Sequence, residues 1–269
     1  MELGRPYSKL LSRLERFGPL PPDDRRRITS LPLKLVNVPA DFEIVSCGET
    51  ASKCSLLLDG FLYSHKVVAG PRRQITSFYV PGEIADLMTL YLPKADHSLM
   101  TLGSAVLAFV PHEALREVLD QSSNLAQALL RESLIQAGIF QQWLVNLGTR
   151  DASGRLAHMI CELTVRLQAV GHARDFSFSM PWTQTDVADA CGISSVHANR
   201  VIQDFRRAGL IEWESRRVKI RDWDGLAGLA GFNDDYLQCP PAPAKEEHLP
   251  RFPTAFSSDA SFIYHERSS

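Results

Sequence analysis

The chain reads as an α+β protein in which an antiparallel β-barrel is followed by one long helix and then a small winged helix-turn-helix. Three observations predict this. From about Leu33 to Val110 short apolar runs recur (LKLVNV, FEIVSC, CSLLLDGFLYSHKVV, RQITSFYV, HSLMTL, AVLAFV), separated by Gly, Pro and Asp, which is the rhythm of a sandwich or barrel. Between Leu125 and Leu147, apolar residues cover nearly every side of a helix. After Met180, TQTDVADACGISSVHANRVIQDFRR reads as two short helices around a glycine, followed by two strand-like runs.

The composition sets the limits for these elements. With 269 residues and 45% hydrophobic content, the chain is long enough for two well-filled cores. A net charge of -2 excludes a uniformly basic coat, so nucleic-acid binding requires a local patch. The longest apolar runs, such as Ser104 to Val110, are too short to span a bilayer, and MELGRPYSKLLSRLERF lacks a signal-peptide core. No membrane partner and a cytoplasmic location are therefore expected. The five cysteines, at 47, 54, 161, 191 and 239, show no C-x-x-C spacing, which argues against a disulfide framework and a zinc or iron-sulfur site.

The organisation follows from N- to C-terminus. A helical segment around Ser8 to Phe17 and a polar stretch at Pro21 to Asp24 precede the barrel, and the sensor-like unit is expected over residues 1–122. Residues 123–149 form the long helix, ending near Gly148 to Asp151. A helix that is apolar all round must be buried all round, and a symmetric copy of itself is the commonest second partner, so a homodimer is expected. Residues 150–237 form the winged helix-turn-helix, closed by an amphipathic helix around Leu226 to Leu237. Residues 238–269, beginning QCPPAPAKEEHLP, have the composition of a disordered tail.

Within the third unit, Thr183 and Asp186 form a capping-box-like helix start, with Gln184 between them. Gly192 falls where the turn between two helices needs positive φ. On the second helix, Ala198, Val201, Ile202 and Phe205 share a buried face, and Val196, Arg200, Gln203 and Arg207 lie opposite. An outward Val followed one turn later by an outward Arg suits a thymine methyl beside a guanine edge. Leu210 to Trp213 and Arg217 to Ile220 read as the wing. From Arg200 to Arg221 there are seven basic and three acidic residues, the local patch that the overall charge requires.

These residues resemble the Crp/Fnr family of bacterial transcription regulators, over nearly all of residues 8 to 237. TQTDVADACGISSVHANRVIQDFRRAGLI resembles its DNA-binding signature, and Val80-Pro81-Gly82-Glu83-Ile84 resembles the loop of its cyclic-nucleotide-binding-like barrel. The resemblance implies a homodimer that reads a near-palindromic operator in double-stranded DNA, one second helix in each of two successive major grooves, with RNA polymerase as a further partner. The base-facing candidates are Ser195, Val196, Asn199 and Arg200, while Gln203 and Arg207 are placed for the DNA backbone or water. Arg216, Arg217 and Lys219 on the wing are the candidate phosphate contacts, and Thr183 and Gln184 are further DNA-binding candidates. Many relatives carry Glu where Val196 stands, so a different operator is expected.

Departures from the family concern the ligand. Members that bind cyclic AMP hold its phosphate with an Arg followed by a hydroxyl residue, but here Ala95 or Asp96 stands at that place, within Pro93-Lys94-Ala95-Asp96-His97-Ser98. Gly82, Glu83, His97 and Ser98 are the candidate effector-pocket residues. The cysteine cluster of oxygen-sensing members is missing from the first 46 residues. For haem, His65 and His97 are the conceivable axial ligands, but a barrel histidine is more often structural. No cofactor is therefore expected. Cys191 occupies an apolar position, where packing is its natural role and a redox switch the alternative. Absence of a nucleophile elbow, a glycine-rich phosphate loop and H-E-x-x-H argues against an enzyme. The rival class is a sensor whose barrel ligand must be present before DNA is bound.

Overall fold

The computed structural model describes residues 5–68 and 72–239. Two helices open the chain, α1 (Arg5–Leu14) and α2 (Pro22–Thr29). The sequence pattern does not predict the second, because PDDRRRIT has almost no apolar face. Proline at its first turn and Asp23 and Asp24 at its positive end start it, and buried Asp24 and Ile28 hold it down.

Strands β1 (Lys34–Val38), β2 (Glu43–Val45), β3 (Lys53–Val67), β4 (Arg73–Tyr79) and β5 (Ser98–Pro111) follow. The runs HSLMTL and AVLAFV form one continuous strand, β5, which pairs with β1, β2 and β3. The order is β1-β5-β3-β4, all antiparallel, with β2 beside β5. The sheet is therefore open rather than the closed barrel expected from sequence. One face buries Val38, Leu57, Leu62, Leu99 and Leu107.

Helices α3 (His112–Asp120), α4 (Ser123–Thr149) and α5 (Ala152–Ala169) come next. The Ser122 hydroxyl accepts from the Leu125 N–H and the Asp151 carboxylate from the Gly154 N–H, which sets the start of α4 and of α5. Helix α4 buries Leu125, Leu129, Ile135, Ile139 and Trp143 within the chain, whereas Leu130, Leu134 and Leu144 are 58%, 62% and 73% exposed. The remainder comprises β6 (Ser177–Ser179), α6 (Gln184–Cys191), α7 (Ser195–Arg207), the β7 (Ile211–Glu214) and β8 (Arg217–Ile220) hairpin, and α8 (Trp223–Ala230). Helix α8 starts three residues earlier than expected, capped by Asp222, and stops at Gly231; a separate turn spans Asp235–Leu237. Cys239, which the composition places in the tail, accepts a hydrogen bond from Arg16 at 3.0 Å. The rest of that expected tail, residues 240–269, lies outside the described residues.

One apolar cluster runs from the sheet into the C-terminal unit. It joins Phe61, Tyr63, Ile75 and Phe78 to Ile139 and Trp143 of α4, Leu156 and Ile160 of α5, and Val187, Ala198 and Phe205. Phe78 packs edge-on against both Trp143 and Trp182, with ring centroids 5.9 and 5.8 Å apart, and Trp182 stacks on Trp213 at 5.2 Å. Gly103 permits the chain to pass closely here, since a Cβ there would fall 2.7 Å from Pro181 Cγ.

His158 of α5, 1% exposed, stacks on Tyr236 in the same region. Burial, and then the Arg150 charge, push its pKa down to about 4 from an ordinary 6.5. The folded protein therefore keeps the ring neutral while the unfolded chain takes up a proton below about pH 6.5, so stability falls as pH drops from there toward about 4. Urea unfolding at pH 7 and pH 5 is expected to show a loss of about 2 kcal/mol from this group, absent in His158→Phe.

Candidate nucleic-acid interface and sensor pocket

The interface starts from two helix caps. Thr183 Oγ1 accepts from the Asp186 N–H, and the Asp186 carboxylate accepts from the Thr183 N–H at 2.6 Å and from its hydroxyl at 2.7 Å, completing the capping box that starts α6. The Thr183 hydroxyl proton is thereby engaged inside the box. Gly192, at φ 64°, ends α6 and turns the chain. Ser194 then accepts from the His197 N–H to start α7.

Helix α7 buries Ala198, Val201, Ile202 and Phe205, as its periodicity predicts. Its other face meets solvent. Val196 is 83% exposed, Arg200 and Gln203 are exposed, and Ser195 and Asn199 are half-buried on the flank. Gln184, at the first position of α6, donates to Asn199 Oδ1 at 3.4 Å, which brings two candidate residues from different helices together. Arg206 and Arg207 are held along the helix by Gln203 and Asp204. On the wing Arg216 and Arg217 are exposed, Arg217 Nε donates to Ser177 Oγ at 3.0 Å, and Lys219 is half-buried. Cys191 is 1% exposed, and burial pushes its thiol up to about 12, so it packs as a small hydrophobe.

Sequence reasoning misses a clamp from the sheet onto α6. Arg73 of β4 donates to Asp189 at 2.7 Å and pairs with Asp186, and Gln74 Nε2 donates to the Asp189 carbonyl at 2.7 Å. Nothing local signals it, because the partners lie 113 to 116 residues apart.

A pocket of about 420 Å3 lies between the Gly82–Leu92 segment, α1 and α4. Gly82, Glu83 and His97 line it, where the resemblance places an effector. Ser98 does not; its hydroxyl accepts from the Cys47 N–H at 3.1 Å. Glu83 is 3% exposed and accepts from Arg166 at 2.8 Å, Arg13 at 3.1 Å and the Val80 N–H at 3.1 Å. Burial alone would raise its pKa, but Arg166, Arg13 and Val80 outweigh it and hold the carboxyl below the ordinary range. Arg166 Nη1 also donates to Glu162 at 3.0 Å, and Glu162 accepts from Trp143 Nε1 at 3.1 Å and from the Tyr236 hydroxyl at 2.7 Å. Ala95, at the place where a phosphate-binding Arg would fall, is buried, and Asp96 pairs with His97 and Lys66.

Residues 154–229 match the family model of the Crp-like helix-turn-helix domain. The transcriptional activator protein FnrA of Stutzerimonas stutzeri is 27% identical over 184 residues, 68% of this chain and 75% of that protein. The anaerobic regulatory protein of Haemophilus influenzae is 25% identical over 191 residues, covering 71% and 74%. Among solved structures, FixK2 from Bradyrhizobium japonicum superposes with a TM-score of 0.64 at 18% identity, over 74% of this chain and 98% of that one. A CRP-family transcriptional regulator from Thermus thermophilus gives 0.57 at 22% identity, over 73% and 97%. Residues 154–229 are thus a Crp-like helix-turn-helix domain, and over about 70% of its length the chain is similar in sequence to transcription regulators of the Crp/Fnr type and shares the fold of their solved structures.

Proposed function

We propose that the chain acts as a cytoplasmic homodimer that binds a near-palindromic operator through α7 and works with RNA polymerase rather than as an enzyme. The observation that carries the dimer is a stripe on α4. Gln127, Leu130, Leu134, Ala137, Gln141, Leu144 and Gly148 are all exposed and succeed one another at spacings of three and four, the seam of a two-stranded coiled coil. Leucines left 58% to 73% exposed along that seam are accounted for by a second copy of the helix. Gln127 opens the stripe and Gln141 interrupts its apolar run, and a polar residue inside such a seam is a device that fixes register.

A dimer with its axis along α4 carries two copies of α7, and two half-sites one DNA turn apart follow from that symmetry. In this reading Arg200 donates to a guanine edge, Val196 meets a thymine methyl, Ser195 and Asn199 complete the base contacts, and Gln203 faces the backbone or water. Asn199 accepts from Gln184, which leaves its amide N–H groups as the donors toward DNA. Gln184, Arg216, Arg217 and Lys219 serve the phosphates, whereas Thr183 acts through the cap it builds.

A second reading, in which the protein binds DNA only with a ligand in its N-terminal unit, draws support from the pocket against α4. Operator titrations with and without candidate ligands separate the two readings, and tight ligand-free binding would sink the second.

Leu134→Glu is expected to weaken the dimer by about 3–6 kcal/mol, since each protomer loses the burial of one leucine. Sedimentation should then show a monomer, and a dimer as stable as the parent would remove α4 from the interface. Arg200→Ala should cost about 1–3 kcal/mol on the operator found by genome-fragment selection while relaxing preference at one position. Equal weakening on all sequences would instead make Arg200 a phosphate contact.

A further inference from the structure

The pocket beside α4 has a chemistry that the family resemblance does not predict. Its walls are apolar, built from Leu10, Leu14, Ile84, Met88, Leu129 and Phe140. The arginine and glutamate side chains in its lining already face opposite charges, with Arg13 bridging Glu83 and Glu132 and Arg166 pairing with Glu83, and His97 Nδ1 is hydrogen-bonded to Asp96 at 2.5 Å. Among the described residues, no cation of the lining is left to neutralise a phosphate. A cyclic nucleotide therefore does not fit: the position that would bind its phosphate is buried Ala95 followed by a carboxylate, and the Glu83 carboxylate is engaged by two arginines.

One lining group stands apart. Gln136 Oε1 of α4 is buried and accepts no hydrogen bond among the described residues. A buried amide oxygen without a partner costs free energy that a donor on an occupant would recover. A volume of about 420 Å3 falls within the range of about 300–1,000 Å3 that takes drug-sized molecules. At the mouth, Tyr91 and Leu92 are 68% and 52% exposed, and Leu130 and Ala137 belong both to the lining and to the α4 seam.

We propose that this pocket takes an uncharged, largely apolar molecule carrying a hydrogen-bond donor, held by leucine and methionine walls and by the Gln136 amide oxygen, and that it rejects anions. The inference rests on the reading of the N-terminal unit as a sensor and specifies its ligand class. Because the occupant lies against the residues that form the seam, it acts on the same surface that the second subunit covers.

The test uses a matched pair of fluorescent probes on the purified full-length protein without DNA. N-phenylnaphthylamine is neutral, apolar and has one N–H, and anilinonaphthalene sulfonate is the same body with a fixed negative charge. The amine is expected to bind saturably at one per chain, with the sulfonate at least about tenfold weaker because no cation of the lining among the described residues is free to meet it. Met88→Trp, a substitution at a half-buried position of the wall, should abolish binding of the amine. Gln136→Leu, which keeps the volume but removes the acceptor, should weaken it by about two- to tenfold. Equal affinity for both probes, displacement of the amine by cyclic AMP, or full binding by both variants would overturn the proposal. If the amine binds as expected but leaves operator affinity unchanged, the ligand class stands and the sensing reading falls.

Discussion

The rest of the structure depends on one buried guanidinium. Arg166, in α5, is 3% exposed and lies between Glu83 and Glu162, themselves 3% and 0% exposed. Both carboxylates raise its already high pKa against the opposing effect of burial, so it is charged whenever the protein is folded. Removing one partner of such a buried pair costs about 3–5 kcal/mol, whereas replacing the whole set by hydrocarbon can be neutral. The network is therefore better understood as a device for geometry than as a source of stability. It fixes the Gly82–Leu92 segment through Glu83, α1 through Arg13, α4 through Glu132 and Trp143, and the C-terminal turn through Tyr236. The first helix of the DNA-binding unit and the floor of the pocket are joined through one carboxylate, that of Glu83.

A short packed route connects that floor with the helix-turn-helix. Phe78, near the end of β4, lies between Trp143 and Trp182, and Trp182 stacks on the wing through Trp213. Close-packed rings cannot be compressed, so an element that moves must carry its neighbours or separate from them. The Arg73 clamp on α6 adds an ionic contact at the same junction. Sheet and helix-turn-helix are joined by core and charge together, and the face of α7 that carries Val196 and Arg200 is left clear of both.

What can be read from sequence follows from the range of the forces involved. Helices α4, α6 and α7, the wing and the apolar runs of the sheet are legible because periodicity, caps and the turn glycine are local signals, although the pattern does not show that HSLMTL and AVLAFV are one strand. The buried face of α7 and the exposure of Val196 follow from the same period. Helix α2 escapes because PDDRRRIT starts by proline and charge with no apolar stripe. Whether the sheet closes depends on pairing between distant strands, which no local pattern encodes. The ion pairs of Arg13, Arg73 and Arg166 with other elements span 70 to 119 residues, and an arginine destined for burial looks in sequence like any solvated one. Two candidate residues stand elsewhere than the pattern suggests. The Thr183 hydroxyl is engaged by its own capping box, and Ser98 belongs to a strand beside the pocket rather than to its lining.

The Arg73 clamp also bears on how a chain of net charge -2 meets DNA. Helix α6 carries Asp186 and Asp189 within two turns of Gln184, and two uncompensated carboxylates there would repel the phosphates that its N-terminus would otherwise attract. Arg73 answers both of them from the sheet. Within α7 and the wing, the basic residues are then opposed only by acids already paired with them, Asp204 with Arg207 and Glu212 with Arg221, apart from Glu214 at the turn. The electrostatic surface of the DNA-binding unit is thus completed by the unit that precedes it, and any movement that parts β4 from α6 exposes negative charge beside the recognition helices as well as breaking a contact.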